Sequence, residues 1–115
     1  KFGQVFVSVL YPGVIKGLHK HEKQTDYTTC IKGNIKYNVA KEKEYGKPAI
    51  KVLTIGERNP IMIKVPPGYW HGYMPLANQE AIVLHTMDKT YDFKDPDTYE
   101  LDPFAFGDVW KVKHG

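Results

Sequence analysis

Glycine and proline steps cut this chain into pieces too short for long helices. Pro12-Gly13, Gly33-Asn34 and Pro66-Pro67-Gly68 are turn signals, and the runs between them alternate in polarity with a period of two. "QVFVSVLY" (4–11), "VIKGLHKH" (14–21), the two halves of "DYTTCIKGNIKYNVAKE" (26–42), a run at about 49–55, the stretch after Ile61 and "EAIVLHTM" (80–87) all read as strands. Some seven short strands at regular spacing define an all-β sandwich or barrel. Eight Tyr, ten Gly and eight Pro fit the same class.

A chain of 115 residues supports one core, so the expectation is a single domain over 1–115. From Lys89 the sequence "KTYDFKDPDTYELDPFAFGDVWKV" loses its alternation and reads as loop, short helix or a tail (about 89–115) wrapping the barrel. Asp88, Asp92, Asp95, Asp97 and Asp102 read there as turn and cap residues. His114 falls near the end and reads as solvent-exposed.

The net charge of +3 is mild and the lysines are scattered, which speaks against a nucleic-acid partner but not against a small anion. No apolar run approaches the ~20 residues of a membrane helix, so no membrane partner is expected. Cys30 is the sole cysteine and sits in an apparent strand, which suggests an inert buried thiol and a reducing, cytoplasmic setting. No signal peptide precedes Lys1, and the missing initial Met reads as trimming.

The chemistry concentrates in "GLHKHEKQTDY" (17–27) and "VPPGYWHGYMP" (65–75). In a strand over 14–21 the period of two sends Ile15, Gly17, His19 and His21 to one face, and Lys16, Leu18 and Lys20 to the other. Two inward histidines of one strand stand about 6.5–7 Å apart and are able to share a substrate or a metal ion. Neutral imidazole is a base suited to taking a proton next to a carbonyl. Burying several imidazoles merely as core would leave polar nitrogens to satisfy, which favours a site.

Gly13, His19, His21, Asp26 and Gly33 follow G-x5-H-x-H-x4-D-x6-G, which resembles the first cupin motif with Asp where Glu is usual. Pro66, Gly68 and His71 resemble the second. "IKGLHKHEKQ", "VPPGYWHGY" and "YDFKDPDTYELDPFAFGDVW" together resemble the dTDP-4-dehydrorhamnose 3,5-epimerase group of nucleotide-sugar cupins. The resemblance implies a cupin jelly roll (double-stranded β-helix). It also implies His19 as general base, Lys16 and Gln24 among the substrate contacts with Lys16 at the phosphates, and His71 lining the sugar pocket.

His85 stands where that group has its catalytic Tyr, and so takes the place of the acid. The carboxylate that orients the base in that group has no counterpart that the sequence places. "GLHKHEKQ" is also similar to the 3,4-ketoisomerases of nucleotide-linked 6-deoxy sugars, which gives His21 a part in a proton shuttle. Tyr73 and Trp70 beside His71 are candidate stacking contacts for the ligand.

The function implied is epimerisation or keto transfer on a dTDP-4-keto-6-deoxyhexose, without a cofactor, by a homodimer acting in cell-surface polysaccharide biosynthesis. One alternative is a metal-dependent cupin holding a divalent ion on His19, His21, Asp26 and His71. Another is a sugar-binding cupin without catalysis.

Overall fold

The computed structural model describes residues 2–41, 49–94, 96–106 and 108–111, without the side chains of residues 49 and 50. His114 and Asp95 lie outside the described residues. Among those described there are nine strands and no helix. They are β1 (Gln4–Leu10), β2 (Lys16–Lys20), β3 (Asp26–Lys32), β4 (Asn34–Lys41), β5 (Ala49–Gly56), β6 (Met62–Val65), β7 (Tyr69–Pro75), β8 (Ala81–Met87) and β9 (Tyr99–Glu100).

Two antiparallel sheets form, in the orders β1-β8-β3-β6 and β5-β4-β7-β2-β9. This is the jelly-roll arrangement that the cupin resemblance implies, built from the sandwich of short strands that the alternating runs indicate. The Gly33 turn joins β3 to β4 as the sequence indicates, but it carries the chain from one sheet to the other and does not close a hairpin; Gly33 is at φ +74°, where a Cβ would lie 2.7 Å from the Glu80 carbonyl oxygen. Two strands were not foreseen. The aromatic stretch 69–75 is a central strand, β7, paired with β4 and β2, and the tail contributes β9, paired with β2.

The inward side chains change character along each strand. On β8 the inward series runs Ala81, Val83, His85 and Met87; on β3, in the opposite direction, it runs Asp26, Thr28 and Cys30. Apolar ends meet apolar ends because the pairing is antiparallel: Cys30 lies against Val83 and Thr28 against His85. A sealed core around Leu10, Ile35, Ile55, Ala81 and Val83 therefore fills one end of the sandwich, and the polar positions line the other. Burying the Leu, Ile and Val side chains of this core contributes on the order of 1.5–3 kcal/mol each. Burial pushes the Cys30 thiol up, as expected of an inert cysteine.

A second apolar cluster forms on the outer face of the five-stranded sheet, from Leu18, Ala40, Trp70 and Trp110. It holds the tail: the Trp110 indole donates to the Pro103 carbonyl at 2.7 Å, and Leu18 and Leu101 exchange backbone hydrogen bonds of 3.2 and 3.0 Å.

Candidate active site

The polar end of the sandwich is a cavity of about 310 Å³. Lys16, His19, His21, Gln24, Asp26, His71, Tyr73 and His85 all line it. Their source is both sheets: β2, β7 and the loop after β2 on one side, β3 and β8 on the other.

Lys16 reaches the cavity against the simple alternation, which placed it opposite to His19. Lys16 pairs with Tyr73 and His19 with His71, so three steps along β2 stand against two along β7. The extra residue is a bulge, and it turns Lys16 to the side of His19. Gly17 lies in the bulge at φ +152°, and a Cβ there would come within 2.8 Å of the Gly72 Cα. No bulkier residue fits that close approach without a shift of backbone.

Trp70 is a correction. The same alternation on β7 that turns His71 and Tyr73 inward turns Trp70 outward, into the cluster with Trp110, where the Lys20 ammonium lies 4.9 Å from its ring centroid. It does not line the cavity.

Asp26 is the hub of one group. Its Oδ2 lies 3.1 Å from His21 Nε2 and 3.2 Å from His71 Nε2, and the Gln24 amide donates to Oδ1. The other ring nitrogens are fixed from behind. Nδ1 of His21 meets the Asp97 carbonyl, and Nδ1 of His71 meets the Tyr69 carbonyl at 3.2 Å. A carbonyl only accepts, so both Nδ1 atoms carry hydrogen. Burial raises a carboxyl, yet hydrogen bonds from His21, His71 and Gln24 hold Asp26 well below the usual carboxylate range. For His21, burial opposes the charge, while Asp26 and the Asp97 carbonyl outweigh it and raise its pKa.

His19 stands apart from that hub. Its side chain is 37% exposed at the rim, and Nε2 lies 3.9 Å from Glu100 Oε1. Burial, then the neighbouring His71, lower its pKa, with Glu100 pulling the other way. The fourfold ligand set read from the sequence is thus reduced: ligand atoms of His21, Asp26 and His71 lie within 4.8 Å of one another, and His19 is not among them.

His85 belongs to a neutral group. Nε2 lies 2.7 Å from the Tyr73 hydroxyl, Nδ1 lies 3.3 Å from Thr28 Oγ1, and the Phe6 ring stacks on it at 4.5 Å. Burial lowers its pKa to about 4 and pushes Tyr73 up to about 12.

Two tail residues make contacts at the site that the sequence does not place. The Asp97 carboxylate accepts the backbone N–H groups of Glu22, Lys23 and Gln24 at 2.9, 2.8 and 3.0 Å, which pins the loop that carries His21. Asp97 is a cap, as the composition of the tail implied, but of a loop more than seventy residues away. Glu100 supplies a carboxylate beside His19 from β9. Neither has a local signal, because each contact is made by the fold.

A jelly roll with a histidine-lined cavity between its sheets has the cupin fold. Residues 1–99 match the polysaccharide biosynthesis C-terminal domain, and the chain belongs to that family. It is 34% identical over 117 residues to the spore coat polysaccharide biosynthesis protein SpsL of Bacillus subtilis, covering 97% of this chain and 77% of that protein. It is 30% identical over 95 residues to Agl13 of Haloferax volcanii, a probable low-salt glycan biosynthesis epimerase. That match covers 80% of this chain and 61% of the Haloferax protein's length. In fold it is similar to a dTDP-4-dehydrorhamnose 3,5-epimerase of Bacillus anthracis solved with TDP and pyrophosphate bound. The TM-score is 0.80 at 21% identity, over 99% of this chain and 68% of that one.

Proposed function

We propose that this chain is a nucleotide-sugar epimerase or ketoisomerase of cell-surface polysaccharide synthesis. It removes a proton next to the ketone of a dTDP-linked 4-keto-6-deoxyhexose, with His19 as base. The observation that carries this reading is the pairing of a half-open imidazole of lowered pKa with Lys16 on one wall of the cavity. A neutral imidazole accepts a carbon-bound proton, and the ammonium attracts the phosphates of the ligand. The names of the Haloferax and Bacillus relatives support the same pathway.

The enolate left by deprotonation needs donors or a cation at its oxygen. The hub of His21, Asp26 and His71 supplies one or the other. With both Nδ1 hydrogens given to carbonyls, two neutral rings would turn bare Nε2 lone pairs onto a carboxylate oxygen. Such a contact calls for an imidazolium or a divalent cation between them. The donor set of two imidazoles and one carboxylate, each ring oriented from behind, fits Zn, Fe, Mn or Ni, which is the second reading. A bound ion would polarise the ketone as a Lewis acid; His19 would remain the base.

The chain acts as a homodimer in the reducing cytoplasm in this proposal. The outer face of the β1-β8-β3-β6 sheet supports the pairing, since Val5, Val7, Val9, Ile31 and Met62 are exposed there. The deciding experiment is NMR in heavy water with dTDP-4-keto-6-deoxyglucose, on protein whose metal content has been measured. Wild type incorporates deuterium beside the ketone, and His19→Ala slows this by about 1,000-fold. Unchanged exchange in His19→Ala would remove His19 as the base, and exchange lost on chelation would favour the metal reading.

A further inference from the structure

Tyr73 starts on β7, in the sheet that carries His19, and its hydroxyl ends at the opposite sheet, 2.7 Å from His85 Nε2. Its ring lies nearly parallel to Tyr37, with centroids 5.7 Å apart. Thr28 and Phe6 fix the imidazole from two other directions. A phenol and an imidazole held this firmly, both buried and both lining the cavity, form a built arrangement rather than incidental core.

The neutral imidazole has one N–H to place. With hydrogen on Nε2, His85 and the Ser8 hydroxyl both donate to the Tyr73 oxygen, Thr28 donates to Nδ1, and the phenolic hydrogen is left to point at a ligand. With hydrogen on Nδ1, the phenol must give its hydrogen to Nε2. The first arrangement makes a donor chain that ends in the cavity.

We propose that Tyr73 is the catalytic acid that returns a proton to the sugar carbon, and that His85 is the positioning residue holding its oxygen. This rests on the keto-sugar reading of the cavity. His19 takes the proton from the carbon beside the ketone, breaking a C–H bond and leaving an enolate. The enolate electrons form a new C–H bond to the Tyr73 hydrogen, its O–H bond breaks and the ketone re-forms. The phenolate accepts the Nε2–H of His85 until solvent reprotonates it, and solvent takes the proton held by His19. No redox partner is required.

Tyr73→Phe keeps the ring and its stacking and removes only the hydroxyl. In heavy water with dTDP-4-keto-6-deoxyglucose, NMR reads deuterium in recovered substrate separately from product. Tyr73→Phe is expected to keep deuterium wash-in within about threefold of wild type and to lose product formation by about 100-fold or more. His85→Gln, whose amide still donates to the phenol, keeps more product than His85→Leu; thermal melts confirm that each variant folds. A folded Tyr73→Phe protein that forms product at the wild-type rate overturns the assignment, and so does one that loses wash-in and product together. Wild type showing neither overturns the keto-sugar reading, and the role of Tyr73 falls with it.

Discussion

One step along two strands separates two kinds of histidine chemistry in this cavity. Asp26 on β3 and His71 on β7 belong to the charged hub, while the next inward residues, Thr28 and Tyr73, belong to the neutral chain with His85. Burial does not tell the two apart: His21 is 9% exposed, His71 6% and His85 6%. The carboxylate does. Within hydrogen-bond reach of Asp26, the pKa of His21 is raised; His85 bonds only to hydroxyls, and burial takes it down to about 4 although Asp26 pulls upward from farther away, with His71 opposing. A strand that places a carboxylate and a hydroxyl at successive inward positions sets a charged cluster next to a neutral hydrogen-bonded one.

Removing the carboxylate is the strongest way to break this contrast. Asp26→Asn leaves the His21 imidazolium without its counter-charge and is expected to cost about 3–5 kcal/mol in urea unfolding at pH 6. A loss under about 1 kcal/mol would mean that the hub is not held by charge.

Acid should act on the neutral end. Because the folded pKa of His85 is about 4 and its ordinary value 6.5, the unfolded chain takes up the proton first as pH falls. Its contribution is fully present above pH 6.5 and is lost between pH 6.5 and about 4, by roughly 3 kcal/mol. His19 titrates in the same direction, so the readout is a difference: His85→Gln should lose less stability than wild type over that window. Equal losses would contradict a neutral buried His85. The smallest effect is expected for Thr28→Val, which removes one neutral hydrogen bond at Nδ1 and should cost about 1 kcal/mol. A cost matching that of Asp26→Asn would erase the distinction between the two ends.

The fold class was legible because turn residues and period-two runs are local signals. The inward histidines were legible for the same reason: His19 on β2 and His21 just beyond its end share a face by spacing alone. Trp70 is next to His71 in sequence, but the same spacing turns it to the outer face with Trp110. Lys16 reached the cavity through a bulge that no residue pattern marked except Gly17. What stayed hidden was pairing across the fold, such as Asp97 with the loop at 22–24, Glu100 with His19, and Tyr73 with His85. Those contacts depend on how the two sheets and the tail come together, and no local spacing encodes it.

The most direct test of the contrast is side-chain nitrogen NMR of the histidines in metal-free protein at pH 6. The account predicts His21 as an imidazolium with both nitrogens protonated, and His85 as a neutral ring with its hydrogen on Nε2, leaving the Tyr73 hydrogen free. A charged His85, or a neutral one with its hydrogen on Nδ1, would contradict it.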